Sequence, residues 1–434
     1  MDGPAISTNN SLATRIEGAG VSISSTSSPI QPGEATANAA APTPFGDLPE
    51  IPTQEAIDGI RFDFNFGLRV KIPKGDKSYR IRFVDLDNKC NLYDIVTPKG
   101  QEGLILSKKR YYVNFRLLIS QPEDDRLLFA HDFNAKNKEV VLRFPSPALG
   151  DAIAWFSYME RFQQKHQCNL VCVVADWFSN IVKKQYPQIR FAPKQPGKIY
   201  ENSYATYDIG IGAIGDFDIQ PIDHRYVGLH RLAARILDVG DEEIPPRFDL
   251  SAPRKIQEKY VCIAVQASGL AKLWNNPIGW DAVVDFLLSK GYRVLCMDKE
   301  RFTGLGGTYN RKPEKAEDFT GDKPLQERID IIKDADFFVG LSSGLSWLAW
   351  GCHVPVVMIS GFTNPITEFH TPYRVFNRNV CNSCWNDMTV KYDLADYWTC
   401  PRLGDKNNRF ECSAMISPEK VISVIEKLIK ENGK

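Results

Sequence analysis

The sequence predicts an α/β protein in which two doubly wound lobes face a cleft, preceded by a small all-β module. Residues 61–72 alternate apolar and polar side chains, as half-buried strands do. Residues 140–144 form a nearly continuous apolar run, which is typical of a strand covered on both faces. Strand and helix patterns begin again after a Pro-rich linker at 241–253, so we expect a second α/β lobe.

The composition is that of a globular protein and argues against several classes of partner. The 434 residues include 53 basic and 53 acidic side chains, and 43% of the residues are hydrophobic. Without a basic surplus we expect no nucleic-acid partner. We expect no membrane span, because no apolar run is long enough, and no secretory signal, because residues 1–15 have neither a basic n-region nor an apolar h-region. Ten cysteines in such a chain favour reduced thiols or a metal site over a disulfide framework.

The first two segments differ sharply in composition. Residues 1–56 are rich in Ser, Thr, Ala, Pro and Gly, and such a segment buries too little apolar area to offset the entropy of ordering. We therefore expect a disordered tail there. Residues 57–135 carry short strand-like runs bounded by turn residues, which predicts a small β-barrel-like domain. It has no catalytic pattern, so its expected role is binding or assembly.

Two α/β lobes and a terminal helix follow. The first, at 136–250, has predicted strands at 140–144, 170–174, 189–192 and 207–211, and predicted helices at 152–166, 178–186 and 225–238. The second, at 251–376, has predicted strands at 260–265, 292–297, 337–339 and 356–359, and predicted helices at 277–290 and 324–334. Residues 416–434 predict an amphipathic helix. Because ligand loops lie at the carboxyl ends of such strands, we expect a site between the lobes.

The rest of the chain is organised around residues 334–365, which predict a strand, a Ser/Gly turn, a helix and a second strand. The N-terminus of that helix would present free N–H groups and roughly +0.5 of an elementary charge, which suits a phosphate group. The alternative interpretation is that Ser342 and Ser343 only cap the helix.

Asp151 begins a predicted helix in the loop after the first strand of the first lobe. One interpretation is a helix N-cap, and the other is a general base that faces the cleft. Gly150 precedes it and has no side chain, so we expect a bulky substrate to approach this turn closely.

A polar loop at 266–276 follows the first strand of the second lobe and contains Lys272. Such a loop fits a grip on a diphosphate, and the alternative is an ordinary solvated lysine. Asp298 and Lys299 end the next predicted strand, where a nucleoside rests in such folds. The spacing of four histidines is not that of metal ligands, so we expect structural roles for His224, His230, His353 and His370.

Residues 377–415 form a Cys-bearing insert before the terminal helix. Cys381 and Cys384 form a C-x-x-C pair, and Cys400 and Cys412 follow, as in tetrahedral thiolate sites. The insert has few aliphatic residues, so a metal would supply the missing folding energy. Zinc and iron both suit four thiolates. The alternatives are four unrelated cysteines or a redox pair, which here lacks a thioredoxin-like βαβ context.

Taken together, these stretches resemble the lipopolysaccharide-heptosyltransferase clan of two-domain (GT-B) glycosyltransferases, in glycosyltransferase family 9. The four-Cys insert and the β-rich module resemble, more closely, its bacterial autotransporter heptosyltransferase branch, the Aah/TibC group. The matching pieces, within residues 57–434, are Ala148-Leu-Gly150-Asp151-Ala-Ile; Gln266-Ala-Ser268-Gly269 through Lys272-x-Trp274-Asn275; and Gly340-x-x-x-Gly344-Leu345-Ser-x-Leu with Pro355, continuing to Gly361-x-Thr363-x-Pro365.

The resemblance implies a GT-B fold, with two Rossmann-like domains facing a cleft, and protein O-heptosyltransferase activity linked to bacterial virulence. Heptose would move from ADP-glycero-manno-heptose to serine hydroxyls of an autotransporter adhesin passenger in the bacterial cytoplasm, by an inverting mechanism without a catalytic metal. The resemblance also implies structural iron on the four cysteines, with zinc as the alternative, and a homododecamer.

The same resemblance assigns roles to individual residues. It makes Asp151 the catalytic base, and it implies that Lys272 and the turn at 342–345 hold the ADP phosphates. The donor-binding residues that it implies are Gly150, Gln266, Ser268, Gly269, Lys272, Trp274, Asn275, Asp298, Lys299, Ser342, Ser343, Gly344, Leu345, Trp347 and Thr363.

Two positions depart from the lipopolysaccharide enzymes. Ser342 stands where they commonly have Asp, and Trp347 stands where they commonly have His. Both departures argue against a lipid core as acceptor more than against the nucleotide-sugar donor. Two alternatives stay open: transfer to a lipopolysaccharide core sugar, and a non-catalytic, metal-stapled scaffold that only binds a nucleotide.

Overall fold

The computed structural model describes residues 23–24, 48–193, 199–212, 215–305, 308–390, 400–401 and 410–433. Most of the expected tail, at 1–22 and 25–47, lies outside these residues, as do 391–399 and 402–409 of the Cys-bearing insert. No helix within the described ranges is both long and apolar enough to cross a membrane.

The amino-terminal strands pair antiparallel with one another, as predicted for residues 57–135, and the first two of these strands lie within the expected disordered tail. They are β1 (Ile23–Ser24), β2 (Gln54–Glu55), β3 (Arg61–Asn65), β4 (Arg69–Ile72), β5 (Arg80–Asp85), β6 (Cys90–Val96), β7 (Gly103–Leu106), β8 (Phe115–Ser120) and β9 (Leu127–Asp132). A separate four-stranded sheet has the order β6-β5-β8-β9. Every second residue of β5 is buried, so one face of this sheet packs on the core.

The β-rich region shares a sheet with the first lobe, which the barrel-like prediction did not anticipate. β3 pairs antiparallel with β4 on one side and parallel with the strand Ala205–Asp208 on the other. The resulting sheet has nine strands. Ordered structure also begins before residue 57, because the Thr53 amide donates to Asp63 at 3.2 Å and the Pro52 carbonyl accepts from Arg61. The expected tail was therefore too long at its carboxyl end.

The first lobe continues that sheet with parallel strands covered by helices. Its elements are β10 (Glu139–Arg143), α1 (Leu149–His166), β11 (Asn169–Val173), α2 (Asp176–Val182), β12 (Arg190–Ala192), β13 (Ala205–Asp208) and α3 (Leu229–Leu237). In the strand order β13-β10-β11-β12, β11 and β12 are added on one side of β10 and β13 is added on the other. The crevice beside β10 is therefore a topological switch point. The four residues of β10 from Val140 onward are buried, as the continuous apolar run predicted.

The second lobe is a six-stranded parallel sheet. Its elements are β14 (Tyr260–Ile263), α4 (Gly279–Ser289), β15 (Arg293–Cys296), β16 (Phe302–Leu305), β17 (Thr308–Arg311), β18 (Glu317–Asp318), α5 (Leu325–Ile332), β19 (Phe337–Leu341), α6 (Gly344–Gly351), β20 (Val356–Ile359) and β21 (Arg374–Val375). The order β18-β15-β14-β19-β20-β21 places a second switch point between β14 and β19. β16 and β17 form an antiparallel hairpin that the sequence patterns did not predict.

The chain ends in a short helix, α7 (Glu411–Ala414), and a long one, α8 (Pro418–Asn432). The Ser417 side chain caps α8 by accepting from the Lys420 amide, and Pro418 occupies the first turn. α8 buries Val421, Ile425 and Leu428 in the core of the second lobe. The predicted amphipathic helix is therefore present, and its apolar face packs against that lobe.

Candidate active site

The two switch points face each other across one cleft of about 640 Å³. The loop after β10 and the start of α1 line one side, and the loops after β14, β15, β19 and β20 line the other. Ligands bind at this position in doubly wound folds. The cleft brings together most of the predicted site residues: Gly150, Asp151, Gln266, Ser268, Lys272, Asp298, Lys299, Ser342, Ser343, Gly344, Leu345, Trp347 and Thr363.

Asp151 faces the cleft and does not cap its helix. The N-cap position of α1 is Ala148, and no side chain makes a capping hydrogen bond there, so the N-cap interpretation of Asp151 is wrong. Its Oδ2 atom instead accepts from the Ser146 hydroxyl at 2.5 Å. Burial raises the pKa of the Asp151 carboxyl, and the Ser146 hydrogen bond and the charge of Lys272 oppose that rise. A carboxyl with a raised pKa is a stronger base once it is ionised.

The turn before α6 leaves hydrogen-bond donors directed at the cleft. Ser343 is the N-cap residue, yet its side chain makes no capping hydrogen bond, so the capping interpretation is wrong for it. Its buried hydroxyl oxygen has no hydrogen-bond partner among the described residues. The first turn of α6 contains no acidic residue, and the N–H groups of Gly344 and Leu345 have no hydrogen-bond acceptor among the described residues. This turn is therefore suited to an external anion.

Lys272 brings a positive charge to the same side of the cleft. It ends a short 3-10 turn, Leu270–Lys272, and its Nζ atom lies 3.5 Å from the Ser268 hydroxyl. Burial lowers the pKa of Lys272, whereas the carboxylates of Asp151 and Glu368 raise it. The ammonium group thus lies near a carboxylate of each lobe. Lys272 is therefore not the ordinary solvated lysine of the alternative interpretation.

Glycines bring the two lobes into direct contact at this point. A Cβ atom added to Gly344 would lie 2.8 Å from Cβ of Leu149, and one added to Gly150 would lie 3.0 Å from Cδ1 of Trp347. The space beside Gly150 is thus filled by Trp347, and not left open for a substrate as the sequence suggested. The helix starts of α1 and α6 are held together by this close packing.

Three predicted donor-binding residues do not line the cleft: Gly269, Trp274 and Asn275. The Trp274 side chain is fully buried and donates from its ring nitrogen to the Ile416 carbonyl at 2.9 Å. The Asn275 amide donates to the Leu273 carbonyl at 3.1 Å and to the Ser413 hydroxyl at 3.0 Å. Trp274 and Asn275 therefore tie the Lys272 loop to the segment before α8, and their direct contact with a donor is not supported.

Asp298 lines the cleft, but its carboxylate already accepts hydrogen bonds from the protein backbone. Its carboxylate accepts from the backbone amides of Val265 at 2.8 Å and Gln266 at 3.1 Å, and burial raises its pKa to about 6. The group therefore shapes the loop after β14. Lys299 is exposed and lies 3.4 Å from Asp322. The Gln266 side chain donates to the Glu300 carbonyl at 2.6 Å, which joins the two loops.

Sequence reasoning missed several residues of the cleft wall. Glu368 is 3% exposed and receives hydrogen bonds from Ser342, Thr363 and Arg374. His224 was expected to be structural, yet it lines the cleft with neither ring nitrogen hydrogen-bonded among the described residues. Burial lowers its pKa to about 4, so the ring is neutral. Phe362 and Trp385 complete this wall. Only the fold brings these positions together, and no local pattern marked them.

The four predicted metal-binding cysteines lie beside the second lobe. Burial raises the pKa of the Cys384 thiol to about 12, and the neighbouring thiols of Cys400 and Cys381 add to the rise. Cys412 is affected in the same direction, by burial and by the other three thiols. The four sulfurs are thus close enough to interact electrostatically. No set of three or more ligating side chains in the described part of the chain has metal-binding geometry.

Two family models match the chain. The model of the N-terminal domain of glycosyltransferase TibC matches residues 57–123, within the β-rich region. The glycosyltransferase family 9 (heptosyltransferase) model matches residues 224–395, which include the second lobe.

Curated relatives match over most of their length. The chain is 46% identical to the autotransporter heptosyltransferase Aah of Escherichia coli over 384 residues, which cover 88% of this chain and 97% of Aah. It is 36% identical to the inactive autotransporter heptosyltransferase BimC of Burkholderia thailandensis over 403 residues, which cover 92% of this chain and 93% of BimC.

A solved structure matches the fold. The iron-containing dodecameric glycosyltransferase TibC from enterotoxigenic E. coli H10407 has a TM-score of 0.84 and 43% identity, covering 89% of this chain and 99% of TibC. TibC has also been solved in complex with ADP-D-β-D-heptose, with the same TM-score and identity.

Proposed function

Because this chain is a glycosyltransferase of the autotransporter heptosyltransferase branch of family 9, we propose that it moves heptose from ADP-glycero-manno-heptose to serine hydroxyls of an autotransporter adhesin passenger. The complex of TibC with ADP-D-β-D-heptose supports the donor. The kinship with autotransporter heptosyltransferases supports the acceptor.

One observation carries the proposal: a carboxylate of the first lobe and an ammonium group of the second share the cleft. The charges of Asp151 and Lys272 each influence the pKa of the other group. A glycosyl transfer to a hydroxyl requires removal of the hydroxyl proton and stabilisation of the charge on the leaving diphosphate. The two groups lie on opposite sides of the cleft, and this arrangement supports the proposed division of the two tasks.

In the proposed mechanism the serine oxygen attacks the anomeric carbon of the heptose as the bond to the ADP oxygen breaks. ADP leaves with the bonding electron pair, and the serine proton passes to Asp151. A single displacement inverts the anomeric carbon. Lys272, the Ser343 hydroxyl and the first N–H groups of α6 hold the leaving diphosphate, so the proposed mechanism uses no divalent ion.

The Ser146 hydroxyl positions the base. It donates to Oδ2 of Asp151 at 2.5 Å, which leaves Oδ1 for the serine proton. The burial that raises the pKa of Asp151 increases its proton affinity. A relative that is 36% identical is named as inactive, so these cleft residues, and not the fold, are proposed to carry the activity.

We further propose that Cys381, Cys384, Cys400 and Cys412 hold a structural iron, with zinc as the alternative. Four thiolate ligands suit either metal, and the thiols are neighbours in the structure. A bound ion would supply folding energy to an insert with few aliphatic residues. The insert in turn supports the cleft, because the Ser383 amide donates to the Gly361 carbonyl at 2.8 Å and the Trp385 amide donates to the Phe362 carbonyl at 3.2 Å.

Metal analysis tests that assignment. We expect the purified protein to contain about one iron per chain, and the variant Cys412→Ser to contain less metal and to melt at a lower temperature. Cys90→Ser is the matched control, because Cys90 is exposed and lies in the β-rich region. Protein purified without chelators that contains neither iron nor zinc would contradict the metal site.

The proposed setting follows that of the relatives. We propose that the enzyme acts in the bacterial cytoplasm, where nucleotide sugars are available, and that it assembles as a homododecamer like TibC. Size-exclusion chromatography with light scattering tests the assembly, and the expected result is a single species of twelve chains.

The function is tested by co-expressing the chain with an autotransporter passenger and analysing passenger peptides by mass spectrometry. We expect heptose on serine residues with the wild-type chain and at most trace amounts with Asp151→Asn, which keeps the size of the side chain. Heptose on the lipopolysaccharide core and not on the passenger would overturn the acceptor. ADP binding without transfer to either acceptor would identify a non-catalytic scaffold.

A further inference from the structure

Glu368 is a buried carboxylate in the cleft wall that the mechanism above does not use. It lies in the loop between β20 and β21, and only 3% of its surface is exposed. Its Oε1 atom accepts from the hydroxyls of Ser342 and Thr363, the latter at 2.7 Å. Its Oε2 atom accepts from Nη2 of Arg374 at 2.8 Å, and this ion pair offsets the cost of burying the charge.

These contacts fix the direction of two hydroxyl protons. A hydroxyl group has one proton and two lone pairs, and an ionised carboxylate can only accept. Ser342 and Thr363 must therefore donate to Glu368, and only lone pairs of Ser342 remain for a ligand in the cleft. Thr363 uses one of its own lone pairs within the protein, because the Ser360 hydroxyl lies 2.7 Å away and has to be the donor.

The adjacent serine has the opposite character. The Ser343 hydroxyl is buried without a partner among the described residues, so its proton is available to a ligand. Diphosphate oxygens near neutral pH accept hydrogen bonds and do not donate them. Ser343 therefore suits a phosphate oxygen, whereas the Ser342 hydroxyl suits a ligand group that donates, such as a sugar hydroxyl.

We propose that Glu368 is a positioning residue that turns the Ser342 hydroxyl into an obligate hydrogen-bond acceptor, so that Ser342 binds a hydroxyl group of the donor sugar and not the diphosphate. This inference rests on the proposed function, because it assigns the two halves of the nucleotide sugar to two neighbouring serines. It also differs from the sequence-based expectation, in which the whole turn at 342–345 holds phosphates. The sugar then lies toward Glu368, and the diphosphate lies toward Lys272 and Ser343.

The test compares two ligands in calorimetric titrations: ADP, and ADP-glycero-manno-heptose. Ser342→Ala should weaken the binding of ADP-heptose by about 5- to 10-fold, as expected for one lost hydrogen bond, and should leave ADP within about twofold. Ser343→Ala is the matched control, since it should weaken both ligands equally. Equal losses of both ligands in Ser342→Ala, or no loss of either, would overturn the proposal.

Glu368→Gln tests the positioning role. The amide cannot accept on both sides, so its oxygen should face Arg374 and its NH₂ group should face Ser342 and Thr363. Those hydroxyls would then accept from Gln and donate into the cleft. We expect the preference for ADP-heptose over ADP to fall by about tenfold or more, with the KM for the donor rising more than kcat falls. An unchanged preference in a folded variant would overturn the role of Glu368.

Folding is checked by the melting temperature of each variant. If Glu368→Gln does not fold, the ratio of the two affinities in Ser342→Ala decides the proposal by itself. Lys272→Ala separates this inference from the proposed function. If it leaves the binding of both ligands unchanged, the diphosphate grip is wrong, whereas a selective loss of ADP-heptose in Ser342→Ala still supports the sugar contact.

Discussion

The turns that begin α1 and α6 share a local structure but differ in electrostatic character. Each follows a parallel strand, and the two touch through Gly150 and Gly344. In α1 the first turn contains Asp151, so the chain supplies its own anion near the positive end of the helix. The first turn of α6 contains no acid. Of two similar helix starts, only the second is therefore available to an external anion.

This difference explains why each turn suits a different chemical task. A carboxylate near a helix N-terminus is stabilised in its charged form, yet burial raises the pKa of Asp151 overall. The first turn therefore presents a base. The second presents N–H groups and the Ser343 hydroxyl, which are hydrogen-bond donors for a leaving group. Variants that remove one side of this contrast, or that separate the two turns, therefore test it.

Removing the carboxylate should have the largest effect. Asp151→Asn is expected to reduce the transfer rate by a factor of about 10² to 10⁴ while the affinity for ADP is retained, because only the proton acceptor is lost. Single-turnover assays with a passenger peptide and titrations with ADP measure the two quantities. A transfer rate within about threefold of the wild type would remove Asp151 from the mechanism.

The stability of the same variant distinguishes a catalytic loss from misfolding. Because the pKa of Asp151 is raised in the folded protein, its contribution to stability is present below the unfolded-state pKa and is lost as the pH rises through the folded-state pKa. Above the folded-state pKa the ionised group therefore costs stability. We expect Asp151→Asn to melt at the same temperature as the wild type or higher, and a clearly lower melting temperature would contradict this.

Separating the turns should have the next largest effect. The Cβ atom of Gly344→Ala would lie 2.8 Å from Cβ of Leu149, an atom attached directly to the backbone. The lobes must then shift, and a displacement of about 1 Å at a reacting centre costs about 100-fold in rate. We expect transfer to fall by about 10- to 100-fold and the variant to unfold more easily by about 1–3 kcal/mol.

Gly150→Ala is the matched control for that variant. Its Cβ atom would lie 3.0 Å from Cδ1 of Trp347, a side-chain atom that has to move by only a few tenths of an ångström. We expect a loss of transfer below about tenfold. Equal effects of the two alanine variants would show that the contact between the lobes does not set the distance between the base and the anion turn.

The sequence predicted what depends on local pattern and on strand ends. The buried run at 140–144 identified β10, and the Ser/Gly turn after β19 identified the start of α6 that lines the cleft. The pairing of β3 with β13, which joins the β-rich region and the first lobe in one sheet, could not be predicted, because the pairing of Asn65 with Thr206 joins residues far apart in the chain. Trp274 matched the family pattern, but burial alone shows that it packs inside the lobe.

Glu368 shows the same limit within the site. Its proposed role depends on three donors from different parts of the second lobe, and no spacing in the sequence joins Ser342 to Arg374. Patterns in the chain thus identify the turns that the proposed mechanism uses. The groups that set the polarity of those turns emerge only from tertiary contacts.

The smallest effect is expected from changing the environment of the base while the base itself is kept. The Ser146 hydroxyl donates to Asp151 and so favours the charged carboxylate, which lowers its pKa against the effect of burial. Transfer should increase with pH as Asp151 loses its proton, and Ser146→Ala should move this increase to higher pH without abolishing the plateau. The pH dependence of kcat/KM for wild type and variant measures the shift. A shift to lower pH would show that another group is the base. The first turn of α1 would then have no role in proton transfer, and the two turns would not divide the two chemical tasks.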